Sequence, residues 1–142
     1  TKNIDSLLAN YGIENNKLMV IEGSADRVYN NNPFYIVPQL SKDSTITSAM
    51  AEGGTNVFMP FSSAVELSQT KRSTVEITTL AQSSQYSYGK DLATMNDYAK
   101  ADSDPEGPFN IAVSVRDSGM GMDKTEYAAK TCCVRLRKPY GR

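Results

Sequence analysis

Asp102-x-Asp104-x-Glu106-Gly107 matches the first six places of a calcium-binding loop, where oxygen ligands at places one, three and five surround the ion and a glycine makes the turn. The twelfth place, closed by a bidentate glutamate in such loops, is Val113 here, and Pro105 and Pro108 stiffen the segment against wrapping. The run therefore reads as a solvated acidic turn. Gly119-Met120-Gly121 is a fragment of a phosphate-binding glycine pattern, but Asp117 and Asp123 would repel phosphates and no third glycine opens a helix. No GxxxxGKS or GxxxxGKT run exists, which excludes nucleotide hydrolysis through a P-loop. The chain has no histidine, which removes Ser-His-Asp and Cys-His nucleophile activation and the HExxH zinc site. Glu66 and Glu76 are the carboxylates that glycoside chemistry would draw on, provided they flank a cleft about 5–10 Å apart. Their commoner role is to keep a surface solvated. Ser62-Ser63 follows Met59-Pro60-Phe61 at a predicted strand end, with no base beside it, and reads as a cap. Cys132 and Cys133 are adjacent, a spacing that suits neither CxxC redox chemistry nor a usual disulfide, and they read as inert thiols.

The aromatic residues gather as Tyr29, Phe34 and Tyr35, and again as Tyr86, Tyr88 and Tyr98, without tryptophan. Tyrosine-rich loops stack sugars or line protein interfaces; half-burial at strand edges is the plainer reading. No residue stands out as catalytic, as a cofactor ligand or as a metal ligand, so the chain is expected not to be an enzyme and to need no cofactor.

The elements that must position these residues belong to one domain over 1–142. At this length a chain buries close to 70% of the surface it exposes when unfolded, enough for a core without metal or disulfide staples. Hydrophobic residues make up 39% and charged residues 22%, with 15 Lys and Arg against 16 Asp and Glu. The longest apolar runs, Leu18 to Ile21 and Val57 to Phe61, are far short of the roughly 20 residues that span a bilayer. Residues 1–134 are mildly acidic while Arg135, Arg137, Lys138 and Arg142 make the end basic, so 131–142 reads as an atypical tail. No basic stripe interleaved with aromatics runs along the chain, and no nucleic-acid partner is expected. The opening at Thr1, straight into a helical pattern, suggests a soluble domain excised from a longer protein.

Ile4, Leu7, Leu8 and Tyr11 fall at i, i+3, i+4 and i+7 with Gly12 placed to stop the turn, which predicts an amphipathic helix over 3–11. Lys17 to Glu22 is a short apolar run between Asn15-Asn16 and Gly23-Ser24, the pattern of a strand buried on both faces. Tyr29 to Pro33 is turn chemistry leading to a strand at Phe34–Val37, and residues 41–54 read as one short helix stopped by Gly53-Gly54. Strands are predicted at Thr55–Pro60, Val75–Gln82 and Phe109–Val115, with Glu126 to Leu136 as a returning partner; Phe61 to Arg72 is ambiguous. A helix delivering into a buried-type strand favours an α/β fold with an open, mostly parallel sheet and flanking helices, with a β-rich second half that leaves room for an appended meander.

Leu7-Leu8-Ala9-Asn10-Tyr11-Gly12-Ile13 comes first, then the strand at Leu18, Tyr35-Ile36-Val37-Pro38, Ile46-Thr47 and Val57-Phe58-Met59-Pro60-Phe61-Ser62. Glu106-Gly107-Pro108-Phe109-Asn110-Ile111-Ala112-Val113 closes the series. In this order and spacing, over about residues 4–116, the words resemble the auxiliary domain of uncharacterised and gliding-motility-associated ABC transport systems. The resemblance implies a flavodoxin-like or class I glutamine-amidotransferase-like fold, here an incomplete fragment. It implies an extracytoplasmic position in a bacterial envelope, tethered to the membrane through flanks beyond this segment. It also implies partnership with the permease and ATPase of the same system. Amidotransferase chemistry does not carry over, because it requires a nucleophilic Cys and a His. The functional expectation is a non-enzymatic accessory domain that binds a partner protein or a substrate for the permease. The alternative is an α/β domain that binds a small molecule or sugar.

Overall fold

The computed structural model describes residues 2–119 and 130–135. Helix α1 (Lys2–Asn10) follows the predicted periodicity and ends as expected: Tyr11 and Gly12 donate back to the carbonyls of Leu8 and Ala9, and Gly12 takes a φ of 74°. Only glycine adopts that left-handed turn at little cost. From it the chain enters β1 (Ile13–Ile21), which is longer than Lys17–Glu22 because a break in register between Asn15 and Met19, with Lys17 at a φ of 59°, lets one strand carry two pairing segments. Two short strands follow, β2 (Val28–Tyr29) and β3 (Asn32–Ile36), joined by left-handed Asn30 and Asn31. After β4 (Gln39–Leu40), the helix expected over 41–54 shrinks to α2 (Ser48–Glu52). Its N-terminal side is taken up by turns, in which Ser44 receives the backbone N–H of Ile46 on its hydroxyl and those of Thr47 and Ser48 on its carbonyl.

The second half contains β5 (Met59–Pro60), β6 (Ser63–Leu67), β7 (Val75–Gln82), β8 (Tyr88–Asp91), β9 (Asn110–Asp117) and β10 (Lys130–Arg135). The ambiguous stretch after Phe61 is thus a strand, and β7 has the predicted bounds. The return strand is present too: β10 pairs with β9, with Cys132 opposite Val115 and Cys133 opposite Ser114, so part of the expected atypical tail is sheet.

Every strand pairing among the described residues is antiparallel, in three sheets ordered β6-β1-β8, β10-β9-β7-β4 and β2-β3-β5. This corrects the α/β expectation, and with it the flavodoxin-like and amidotransferase-like architectures. A parallel sheet needs crossover connections of a dozen or more residues, usually helical. Here the helices between described strands are the three-residue 3-10 turn Ala25–Arg27 and five-residue α2. The misreading has a physical source. Met19, Val20 and Ile21 are buried because β1 is the central strand of its sheet and other sheets pack against it, and not because helices cover both faces of a parallel sheet.

One side of the core joins Ile13 of β1 and Val65 of β6 to Val75, Val113 and Val115 of β7 and β9, with Leu8 and Tyr11 from the end of α1 packed against them. A second cluster, Val20, Ile36, Ala64 and Ile111, takes residues from all three sheets. Leu80, Ala81 and Ala112 form a third with Leu40 and Met59. Ile4 and Leu7, the outer half of the helix's apolar set, remain exposed.

Candidate functional site

The small sheet β2-β3-β5 is built from two segments, residues 28–41 and 53–65, that contain no Asp, Glu, Lys or Arg in a chain that is 22% charged. Pairing of β3 with β5 sets Tyr35 opposite Pro60 and Ile36 opposite Met59, and so brings two aromatic words distant in sequence together. The result is one unbroken run of six rings. Tyr29 meets Phe58 at 5.3 Å between centroids, Phe58 meets Tyr35 at 5.3 Å, and Tyr35 meets Phe61 at 5.7 Å. Phe61 stacks on Phe34 at 5.9 Å, and Phe34 meets Tyr98 at 4.7 Å. Because Phe34 and Tyr35 point to opposite faces of β3, the run wraps around the end of the sheet, with Phe61 as the corner. Its ends are open to solvent: Tyr29 is 62% exposed, Phe58 46% and Tyr98 56%.

Phe61 holds this corner in a left-handed backbone, at a φ of 49°, while its N–H donates to the Phe34 carbonyl at 2.9 Å. That conformation costs a bulky residue about 1–2 kcal/mol. Such strain persists where surrounding structure enforces it, and it gathers at functional surfaces.

Tyr98, at the far end, is placed by a loop that is pinned from beneath. The Tyr88 hydroxyl donates to the Tyr98 carbonyl at 2.7 Å, and burial raises its pKa. Lys90, only 9% exposed, pairs with Asp104 at 2.8 Å and lies 3.9 Å from Asp97. Asp104 also receives the Ala101 N–H at 2.7 Å; the lysine first and that N–H second hold its carboxyl below the usual range. Lys100 pairs with Glu106 at 2.5 Å, which raises the lysine's pKa and lowers the glutamate's.

These pairings engage the carboxylates of the run that resembles a calcium loop. Asp104 and Glu106 turn to separate lysines, Asp102 is exposed, and no cluster of three potential metal ligands occurs among the described residues. Gly107 serves packing instead: a Cβ there would lie 2.1 Å from the Ser87 hydroxyl and 2.6 Å from the Ser84 carbonyl. Glu66 and Glu76 are both exposed but stand on different sheets, Glu66 opposite Glu14 and Glu76 opposite Arg116, and neither lines the clefts described here. Ser62 and Ser63 are buried, the Ser62 hydroxyl donating to the Met59 carbonyl. The Gly119 N–H donates to the Asp117 carboxylate at 3.1 Å, while Met120, Gly121 and Asp123 lie outside the described residues, as do Arg137, Lys138 and Arg142. Of the tyrosines singled out in the sequence, Tyr29, Tyr35 and Tyr98 join the run, Tyr88 supports it from below, and Tyr86 stands apart at 63% exposure.

Two features escaped the sequence reading. Phe58 looks like a core residue of the strand predicted at Thr55–Pro60 and Phe61 falls in the ambiguous stretch after it, and the pairing that makes them bridge Tyr29, Tyr35 and Phe34 is long-range; the two uncharged segments were the available signal. Glu22 is the other. Its buried carboxylate receives the N–H groups of Ser24 and Ser84, each at 3.0 Å, and the Ser84 hydroxyl. A hydroxyl against a carboxylate is half of a nucleophile and base pair, but the backbone donors already occupy both oxygens and the group ties the end of β1 to the 83–87 turn. That turn is latched again where the Ser83 hydroxyl receives the Phe109 N–H at 2.8 Å.

No helix among the described residues is long and apolar enough to cross a membrane. No protein-family model, curated protein or solved structure matches this chain.

Proposed function

We propose that this chain is a non-enzymatic binding domain that holds a partner protein on the run Tyr29–Phe58–Tyr35–Phe61–Phe34–Tyr98. The observation that carries this is the pairing of exposed aromatic rings with uncharged flanks, since depletion of charge and enrichment in aromatics distinguish the buried centre of protein interfaces from ordinary surface. A few such rings supply most of the energy of an interface. The ring geometry argues against a sugar platform built on these tyrosines. Four of the five contacts are edge-on, at interplanar angles of 61°, 78°, 84° and 87°, so neighbouring rings alternate face and edge and offer no flat surface to a pyranose.

The setting comes from the order of sequence words that resembles ABC transport auxiliary domains. On this reading the domain works outside the cytoplasm as a membrane-tethered accessory, and its partner is the permease assembly that its ATPase drives. The test is co-purification of the full-length chain with a co-expressed permease of such a system, using Tyr35→Ala/Phe58→Ala against the parent sequence. Loss of two ring anchors is expected to weaken capture by about 30-fold or more. Equal capture by both chains, or partners found only in the cytosol, would reject the reading.

A further inference from the structure

A polar cleft of about 610 Å³, with none of the six rings in its lining, opens between β4, the residues following α2 and the end of β7. Its size falls in the range of about 300–1,000 Å³ of small-ligand sites, but its lining is polar where such sites are mostly apolar. Arg27, at the end of the turn before β2, is half-buried here, yet its guanidinium makes no hydrogen bond or ion pair among the described residues. Its five N–H donors form a fixed fork suited to a carboxylate or phosphate. Lys42 lines the same cleft and is likewise without an ion pair among the described residues, against one carboxylate, Asp43. Around these charges stand the exposed side-chain amides of Gln39 and Asn56 and the exposed hydroxyl of Thr55, which project into the cleft's mouth without hydrogen bonds inside the described structure. The other cleft, of about 370 Å³ under the Tyr98 loop, lacks this character because Asp104 already neutralises its Lys90.

We infer that the 610 Å³ cleft binds a small polyhydroxylated anion, an acidic sugar whose carboxylate or phosphate is held by Arg27 and Lys42 while its hydroxyls reach Gln39, Thr55 and Asn56. An excess of cations selects the anionic group, and amides that both donate and accept select hydroxyls over an apolar body. This site is independent of the partner surface proposed above, because none of the six rings lines it.

The test is an amide-resolved NMR titration of the whole chain with glucuronate, glucose 6-phosphate, glucose and inorganic phosphate. Saturable shifts are expected at residues 39–43 and 54–56 with glucuronate or glucose 6-phosphate, and whichever binds tighter identifies the anionic group. Glucose and inorganic phosphate should each bind at least about tenfold more weakly, since each lacks half of the recognised chemistry. Arg27→Gln should weaken the acidic sugar by at least about tenfold, and Arg116→Gln, on the exposed end of β9, should leave it unchanged. Lys42→Gln, at an exposed position, provides the same comparison if Arg27→Gln does not fold. The inference is overturned if neither acidic sugar produces saturable shifts there, if inorganic phosphate binds as tightly as glucose 6-phosphate, or if the folded variant binds unchanged.

Discussion

Phe61 concentrates the conflict between backbone and surface. Its ring joins Tyr35 to Phe34, while its φ of 49° is one that side chains with a Cβ disfavour. The two contributions separate in a pair of variants. Both Phe61→Ala and Phe61→Gly lose the ring, but only glycine relieves the left-handed backbone, so the glycine variant should be the more stable by about 1 kcal/mol in urea denaturation. Equal stability, or a less stable glycine variant, would mean that the corner holds no strain. At this scale the sequence was partly legible. Tyr29, Phe34, Tyr35 and Tyr98 announce themselves by type, whereas Phe61 opens a stretch with no clear period until β3 and β5 pair across 25 residues of chain. The buried Glu22 carboxylate was illegible for the same reason, because two of its donors come from Ser84, far along the chain.

The loop that carries Tyr98 depends on the element beneath it, and its anchoring has a pH signature. The carboxyl of Asp104 titrates below its ordinary value when folded, because it bonds to Lys90 and to the Ala101 N–H. A carboxyl depressed in the folded state contributes stability that is complete above its unfolded pKa, about 3.9, and is lost as pH falls through the lower folded value. Asp104→Asn should therefore be less stable than the parent at neutral pH, with the difference shrinking below about pH 4. Urea denaturation across that range checks this; a difference that stays constant into strong acid would show that the Lys90 pair is not its source. Elements with a clean local period, α1 and β7, were legible nearly to their ends, since side-chain spacing alone defines them. Helix α2 was over-read because Ser44 diverts its first turns into hydroxyl and carbonyl bonds of its own.

Across the whole molecule, three small antiparallel sheets share one interior, and Ile36 of β3 sits fully buried where all three meet. Ile36→Ala should cost about 2–5 kcal/mol, and a single cooperative transition with that loss would show that the sheets unfold together. A loss under about 0.5 kcal/mol, or two separate transitions, would show that the aromatic sheet is an independent appendage. Fold class was the least legible feature. Two-sided burial of Met19, Val20 and Ile21 has the same sequence pattern whether helices or other sheets provide the cover, and only the strand pairing distinguishes the two. The arrangement leaves an uncharged aromatic edge and a polar, cation-bearing cleft that none of the six rings lines. A photo-crosslinking residue placed at Phe58 in the full-length chain, with Glu76, exposed on β7, as the control position, tests whether this edge meets the partner. Irradiation beside the co-expressed permease should give a defined adduct from position 58 and none from 76. Adducts of equal yield from both positions, or none from 58, would contradict the assignment of this edge as the partner-binding face.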